Sequence, residues 1–97
     1  MAEAELQFEW DEAKAAGNLL KHGVSFPTAV AIFDNEALEA DRRSRGLSEV
    51  RFIGLGRVEL EVYRVVYTWR AETLVCIISA QKAGKHEREI YCRATFP

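Results

Sequence analysis

Between Glu49 and Gln81 the chain holds three segments rich in Val, Ile, Tyr and Phe, broken only by short polar turns. They run Glu49 to Leu55, Leu60 to Trp69 and Thr73 to Gln81. β-branched and aromatic residues fit a pleated, half-buried surface, and turns this short join neighbours in an antiparallel meander. A sheet with one apolar face must be covered, so the rest of the chain has to supply the cover. Ala37 to Asp41 reads as a weaker strand, followed by a polar turn from Arg42 to Ser48, and Phe8 to Trp10 as a short strand.

The cover comes from the N-terminal third. Asp11 is suited to cap a helix in which Ala13, Ala16, Gly17 and Leu20 recur at helical spacing. Gly23 suits a left-handed C-cap, which puts Lys21 and His22 in the last turn, where positive side chains complement the helix dipole. Ser25 caps a second helix that tolerates Pro27 in its first turn, and Phe26, Ala29, Val30 and Phe33 form its apolar stripe. Gly84 to Cys92 reads as a closing helix, with Lys85 and Glu89 on its polar side. The order β-α-α-β-β-β-β-α implies an α+β fold: a small antiparallel sheet, both N-terminal helices packed on one face, and a C-terminal helix. The opposite face is left as a working surface.

With 97 residues the chain makes one domain, 1–97, of which 1–7 are acidic and expected to be poorly ordered. No apolar run approaches the ~20 residues of a membrane-spanning helix, and the start lacks the pattern of a secretory signal. A soluble cytoplasmic protein with no membrane association is the expectation. The formal charge is -2, but residues 1–50 hold five Lys/Arg against ten Asp/Glu, and residues 51–97 eight against five. The halves therefore carry -5 and +3, which permits a basic face on an acidic molecule. Cys76 and Cys92 form neither a disulfide framework nor a zinc cluster and read as structural thiols.

Some residues stand out on physical grounds alone. Alternation puts Arg64 on the strand face of Leu60, Val62 and Val66, an arginine interrupting an apolar row. Burying that charge unpaired is expensive, so it reaches either a carboxylate or an open groove. Glu49 and Arg51, two apart on a strand, share a face; they form either a surface ion pair or one that aims Arg51 at an anion. Tyr63, Tyr67 and Trp69 also share a strand face; together with Trp10 they suit a core against helices better than base stacking. His86 and Arg57 read as solvated.

Two blocks of this chain carry a resemblance. Phe8-Glu9-Trp10-Asp11-Glu12 is followed by Lys21-His22-Gly23-Val24, and Ile77-Ile78-Ser79-Ala80-Gln81-Lys82-Ala83 by Glu87-Arg88-x-x-Tyr91. Over Phe8 to Tyr91 the chain resembles the BrnT family of bacterial type II toxins, small ribonucleases whose fold is similar to the RelE group. The resemblance implies a cytoplasmic endoribonuclease that needs no metal or cofactor, blocks translation by cutting RNA, and is neutralised by a BrnA-type DNA-binding antitoxin. Contact with DNA would be indirect, through that antitoxin, and a toxin homodimer would sit within a heterotetramer.

A metal-independent ribonuclease needs a base for the ribose 2′-hydroxyl, an acid for the departing 5′-oxygen, and cations to steady the phosphate. Histidine, with an ordinary pKa near ~6.5, suits proton exchange, and the planar fork of arginine suits phosphate. The expected site is therefore Lys21, His22, Arg51, Arg64, Gln81 and Lys82. Helix capping alone also accounts for Lys21 and His22. The family commonly has arginine where this chain has Gln81, and a neutral amide supplies no charge. Lys82 would point to the other side if the strand continued, and to the same side if the chain bends there. Glu87, Arg88 and Tyr91 match the family's helix and suit docking. A non-catalytic binding module that only serves its antitoxin as corepressor is the competing expectation.

Overall fold

The computed structural model describes residues 5–34, 37–44 (40–44 as backbone only) and 50–95. Five strands form one sheet: β1 (Gln7–Glu9), β2 (Leu38–Ser44), β3 (Val50–Val58), β4 (Glu61–Ala71) and β5 (Leu74–Lys82). Helices α1 (Glu12–His22) and α2 (Phe26–Val30) lie between β1 and β2, with a 3₁₀ turn at Ala31–Asp34, and α3 (Lys85–Thr95) closes the chain. The strand order is β1-β5-β4-β3-β2. β2 to β5 pair antiparallel as a meander, as their composition implies. β1 pairs parallel with the start of β5, Gln7 opposite Leu74, so the sheet is mixed rather than purely antiparallel. The reason is topological: β1 is not part of the meander, since α1 and α2 carry the chain from it to β2 at the opposite edge, so no hairpin fixes its direction beside β5. Gln7, expected to be poorly ordered, is the first residue of this strand. β2 continues through Arg42–Ser44, the start of the expected polar turn, because these residues pair with Val50–Phe52. The remainder of that turn, and Glu49, lie outside the described residues.

One face of the sheet is closed. Val65, Tyr67, Val75 and Ile77 point into a cluster with Val24, Phe26, Ala29 and Ile32, all nearly inaccessible to water. Of the expected aromatic row, Tyr67 is in this core and Tyr63 and Trp10 pack against it, whereas Trp69 is exposed at the end of its strand. Phe33 meets Tyr67 edge-on at 5.1 Å, Phe52 stacks on Tyr67 at 5.9 Å, and Trp10 meets Phe26 edge-on at 5.9 Å. The Tyr67 hydroxyl donates to Glu39 Oε2 at 3.2 Å, and burial, then the Glu39 charge, raise its pKa well above the usual tyrosine range. Gly56 is required here, because a Cβ would collide with the fully buried Ile32, whose Cα would lie 3.3 Å away. The α2 stripe behaves as expected, with Ser25 accepting from the Thr28 amide at its start.

α1 does not. Asp11 accepts from the Ala13 and Lys14 amides, and Gly23 at φ 70° donates to the Leu19 carbonyl, so both caps are as expected. Yet Ala13, Ala16 and Gly17 are exposed, and Leu20 is 91% exposed. The expected apolar stripe faces solvent, and the opposite face, with Ala15 and Asn18, meets the core. The reason is a polar one. Asn18 Nδ2 donates to the carbonyls of Val24 (2.9 Å) and Ala80 (2.8 Å), while its Oδ1 accepts from the Ala80 amide at 3.0 Å. β1 borders β5 only as far as Cys76. Past that point β5 has an open edge, and the Asn18 amide group takes the place of a strand, meeting both backbone groups of Ala80. Orphaned buried backbone groups cost about 1–3 kcal/mol each, more than a Leu on one helical turn returns by partial burial.

Candidate functional site

Strand alternation sends Arg51, Ile53 and Leu55 of β3, and Val62, Arg64, Val66 and Thr68 of β4, to the second face. α3 covers one end of it, where Leu55, Val62, Ala83 and Tyr91 form a small separate cluster. The docking is built by the residues expected for it. Gly84 donates its amide to Glu87 Oε1 at 2.9 Å, the reach-back half of a capping box, and Arg88 donates to the Ala83 carbonyl at 2.9 Å. The other carboxylate oxygen of Glu87 binds Arg64 Nε at 2.9 Å. Arg64 thus finds a carboxylate at the margin of the open surface, with about a quarter of its side chain exposed. Held at Nε by a partly exposed pair, its terminal nitrogens can still turn toward an anion.

Gln81 stands directly opposite Arg64 in the β4–β5 register, so the two side chains share this face. Lys82 stands opposite Tyr63 on the other face and lies 3.9 Å from Glu61. The strand runs on through Lys82 without a bend, which separates Lys82 from Arg64 and Gln81.

Lys21 and His22 follow Asn18 at i+3 and i+4, on the same side of α1, and both are exposed. α1 starts beside Cys76–Ile78 and reaches Ala80 at Asn18, so it runs along β5 in the strand's direction. Four more helical residues advance it by about 6 Å, or about two strand residues. Measured along the strand axis, this advance brings the last turn of α1 toward the end of β5. The structure pairs Arg64 with Gln81 directly, and ties α1 to the residue before Gln81 through Asn18.

Arg51 is elsewhere. It lies four residues before Leu55, the partner of Arg64, hence about 13 Å away along the strand. There it lines a cleft of about 390 Å³ with Glu9, Trp10, Lys14, Arg70, Cys76 and Ile78 among its walls. Its Nε is buried and meets no hydrogen-bond partner among the described residues. Cys76 is half-buried in this wall; Cys92 is exposed on α3, contrary to the expectation of a structural thiol, because the buried face of that helix centres on Tyr91. Among the described residues no three His, Cys, Asp or Glu side chains come together as they would around a metal ion, and no helix is long and apolar enough to cross a membrane.

The residues that sequence reasoning missed are Asn18, Glu87 as the partner of Arg64, Lys14 and Arg70. Two had a readable signal. Lys14 precedes Lys21 by seven, two helical turns, and Arg70 follows Arg64 by six, an even spacing on a strand. A polar residue in the middle of α1 was the only trace of Asn18.

A family model described as the ribonuclease toxin, BrnT, of type II toxin-antitoxin system matches residues 10–87. No curated protein matches the sequence. Among solved structures, the 1.1 Å crystal structure of the Brucella abortus ribonuclease toxin, BrnT, aligns with a TM-score of 0.61 and 23% identity, covering 82% of this chain and 99% of that one. At that identity the likeness speaks for the fold.

Proposed function

The chain belongs to the BrnT family of type II ribonuclease toxins, and on that premise we propose that it cuts RNA without a metal at the end of the sheet where α1 meets β5. Membership in a type II system carries an antitoxin with it. The observation that supports this placement of the chemistry is the Asn18 clamp on Ala80, which ties α1, one turn before Lys21 and His22, to the strand residue next to Gln81.

In this reading His22 takes the proton of a ribose 2′-hydroxyl. The 2′-oxygen bonds to phosphorus, the bond from phosphorus to the 5′-oxygen breaks, and that oxygen takes a proton from water as the next nucleotide leaves, while His22 returns its own proton to solvent. The product is a 2′,3′-cyclic phosphate. Lys21 and the free end of the Arg64 guanidinium neutralise charge gathering on the phosphate oxygens, and Gln81 donates a neutral hydrogen bond beside them. Lys82, on the opposite face, takes no part. The antitoxin is a BrnA-type DNA-binding protein that covers this surface, in an assembly of two toxins and two antitoxins, and translation stops through loss of RNA.

Incubation of the purified protein with total RNA in EDTA tests the chemistry. Fragments ending in cyclic or 3′-phosphate are expected, with a loss of at least about 100-fold for His22→Ala. Activity that vanishes in EDTA and returns with magnesium would overturn it. A second reading, a corepressor without cleavage, draws on two observations: Arg64 is already paired with Glu87, and Gln81 is uncharged. Growth arrest on expression of the chain alone would set it aside.

A further inference from the structure

The cleft around Arg51 is not part of the site just described. It opens on the same face of the sheet but at its other end, between the start of α1 and the strands β3 to β5. We propose that this cleft binds a neighbouring nucleotide of the RNA strand, through its phosphate on Arg51 and Lys14, and so holds the strand in register for cleavage at the α1–β5 end. The inference rests on the ribonuclease reading and adds to it a second place of contact.

Charge accounting favours an anion. Lys14, Arg51 and Arg70 face Glu9 and Asp11 across the cleft. Both carboxylates are already engaged: Asp11 accepts from two amides of α1, and Glu9 lies 3.8 Å from Arg70. Arg70 also reaches Cys76 Sγ at 3.7 Å. Three cations against two carboxylates leave the cleft at +1, with the Asp11 charge turned to the helix amides and Lys14 and Arg51 left as the cations best placed to meet an anion. A buried guanidinium N–H without an acceptor is costly, and a phosphate oxygen supplies the acceptor that the described residues do not.

Size and shape favour a nucleotide over a bare ion. A volume of about 390 Å³ falls in the range of small-molecule clefts, roughly 300–1,000 Å³. Trp10 and Ile78 add apolar wall beside the cations, the combination that single-stranded RNA recognition uses to seat a base beside its phosphate. Arg64 is turned to Glu87 on α3, while Arg51 is turned to the cleft beside β1. One strand laid across the face would meet Arg64 first and Arg51 further along.

Binding of a short 2′-O-methyl RNA, which cannot be cut, together with cleavage kinetics on unmodified RNA, tests the proposal. Arg51→Gln and Lys14→Gln are expected to weaken binding about tenfold each and to lower the salt slope by about one. KM should rise by a similar factor while kcat is retained, and Arg51→Lys should recover part of the loss. Lys14 is exposed on α1, so its variant keeps the proposal testable even if changes at Arg51 disturb the fold. Unchanged affinity and KM in Lys14→Gln and in folded Arg51→Gln, with a parent that cuts RNA, would overturn the subsite alone. A fall in kcat without a change in KM would move Arg51 into the chemistry and overturn it too. A parent that neither binds nor cuts RNA would overturn the ribonuclease reading and this inference with it. Loss of antitoxin binding with RNA binding intact would reassign the cleft to a protein partner.

Discussion

The two faces of the sheet are made by the same three central strands, yet they are built on different terms. On the closed face, Val65, Val75 and Ile77 meet Phe26, Ala29 and Ile32 at close to zero exposure, and Tyr67 pairs its one polar atom. On the other face, apolar residues alternate with Arg51 and Arg64, and α3 covers only one end. A period of two lets one strand serve both purposes, because a change on one side leaves the packing on the other in place. Stability should therefore reside in the closed face and activity in the open one. Asn18 is where the two meet, since its bonds belong to the fold but its consequence is the position of Lys21 and His22.

The strongest test of that division is Phe26→Ala. A fully buried aromatic lost from the closed face should cost about 3–5 kcal/mol by denaturant unfolding, much of what a chain of this size has. If it unfolds easily yet cleaves normally while folded, the division holds.

Asn18→Leu comes next. It strands both backbone groups of Ala80 and should cost about 2–4 kcal/mol, and the folded fraction should also cleave more slowly because the end of α1 is no longer held. Full cleavage by a folded Asn18→Leu protein would separate the fold from the site at this point.

On the open face, Gln81→Arg should raise the cleavage rate at least about tenfold, toward the 100-fold scale of one added charge-stabilising donor, with little change in stability. Lys82→Ala should leave the rate unchanged, since Lys82 faces the other way. A damaging Lys82→Ala with a silent Gln81→Arg would reverse the assignment of the two faces at this end.

The smallest expected effect is that of Leu20→Glu. Because this side chain is 91% exposed, its loss should alter stability by no more than about 0.5 kcal/mol. A large destabilisation would restore the apolar stripe of α1 to the core.

Much of this architecture is legible without coordinates. The strands β2 to β5, the caps Asp11, Gly23 and Ser25, the stripe of α2 and the docking of α3 by Glu87, Arg88 and Tyr91 all follow from local rules. Propensity, capping and alternation concern residues a few positions apart, so the sequence carries them directly. The grouping of Lys21 and His22 with Gln81 was expected from family resemblance, and the site they form remains a proposal.

Three things depended on distant residues. Periodicity chose the wrong face of α1, because a polar side chain matching a strand edge 62 positions away outweighed four small or apolar ones. Alternation put Arg64 on a face but could not say that Glu87, on a later helix, would take its Nε. Nor could it say that Arg51 would end in a cleft with the start of α1, about 13 Å from the residues it was grouped with. Each is settled by which backbone groups and charges are left unsatisfied once the sheet has formed. That debt exists only in the assembled chain, and so only the tertiary structure could decide how it is met.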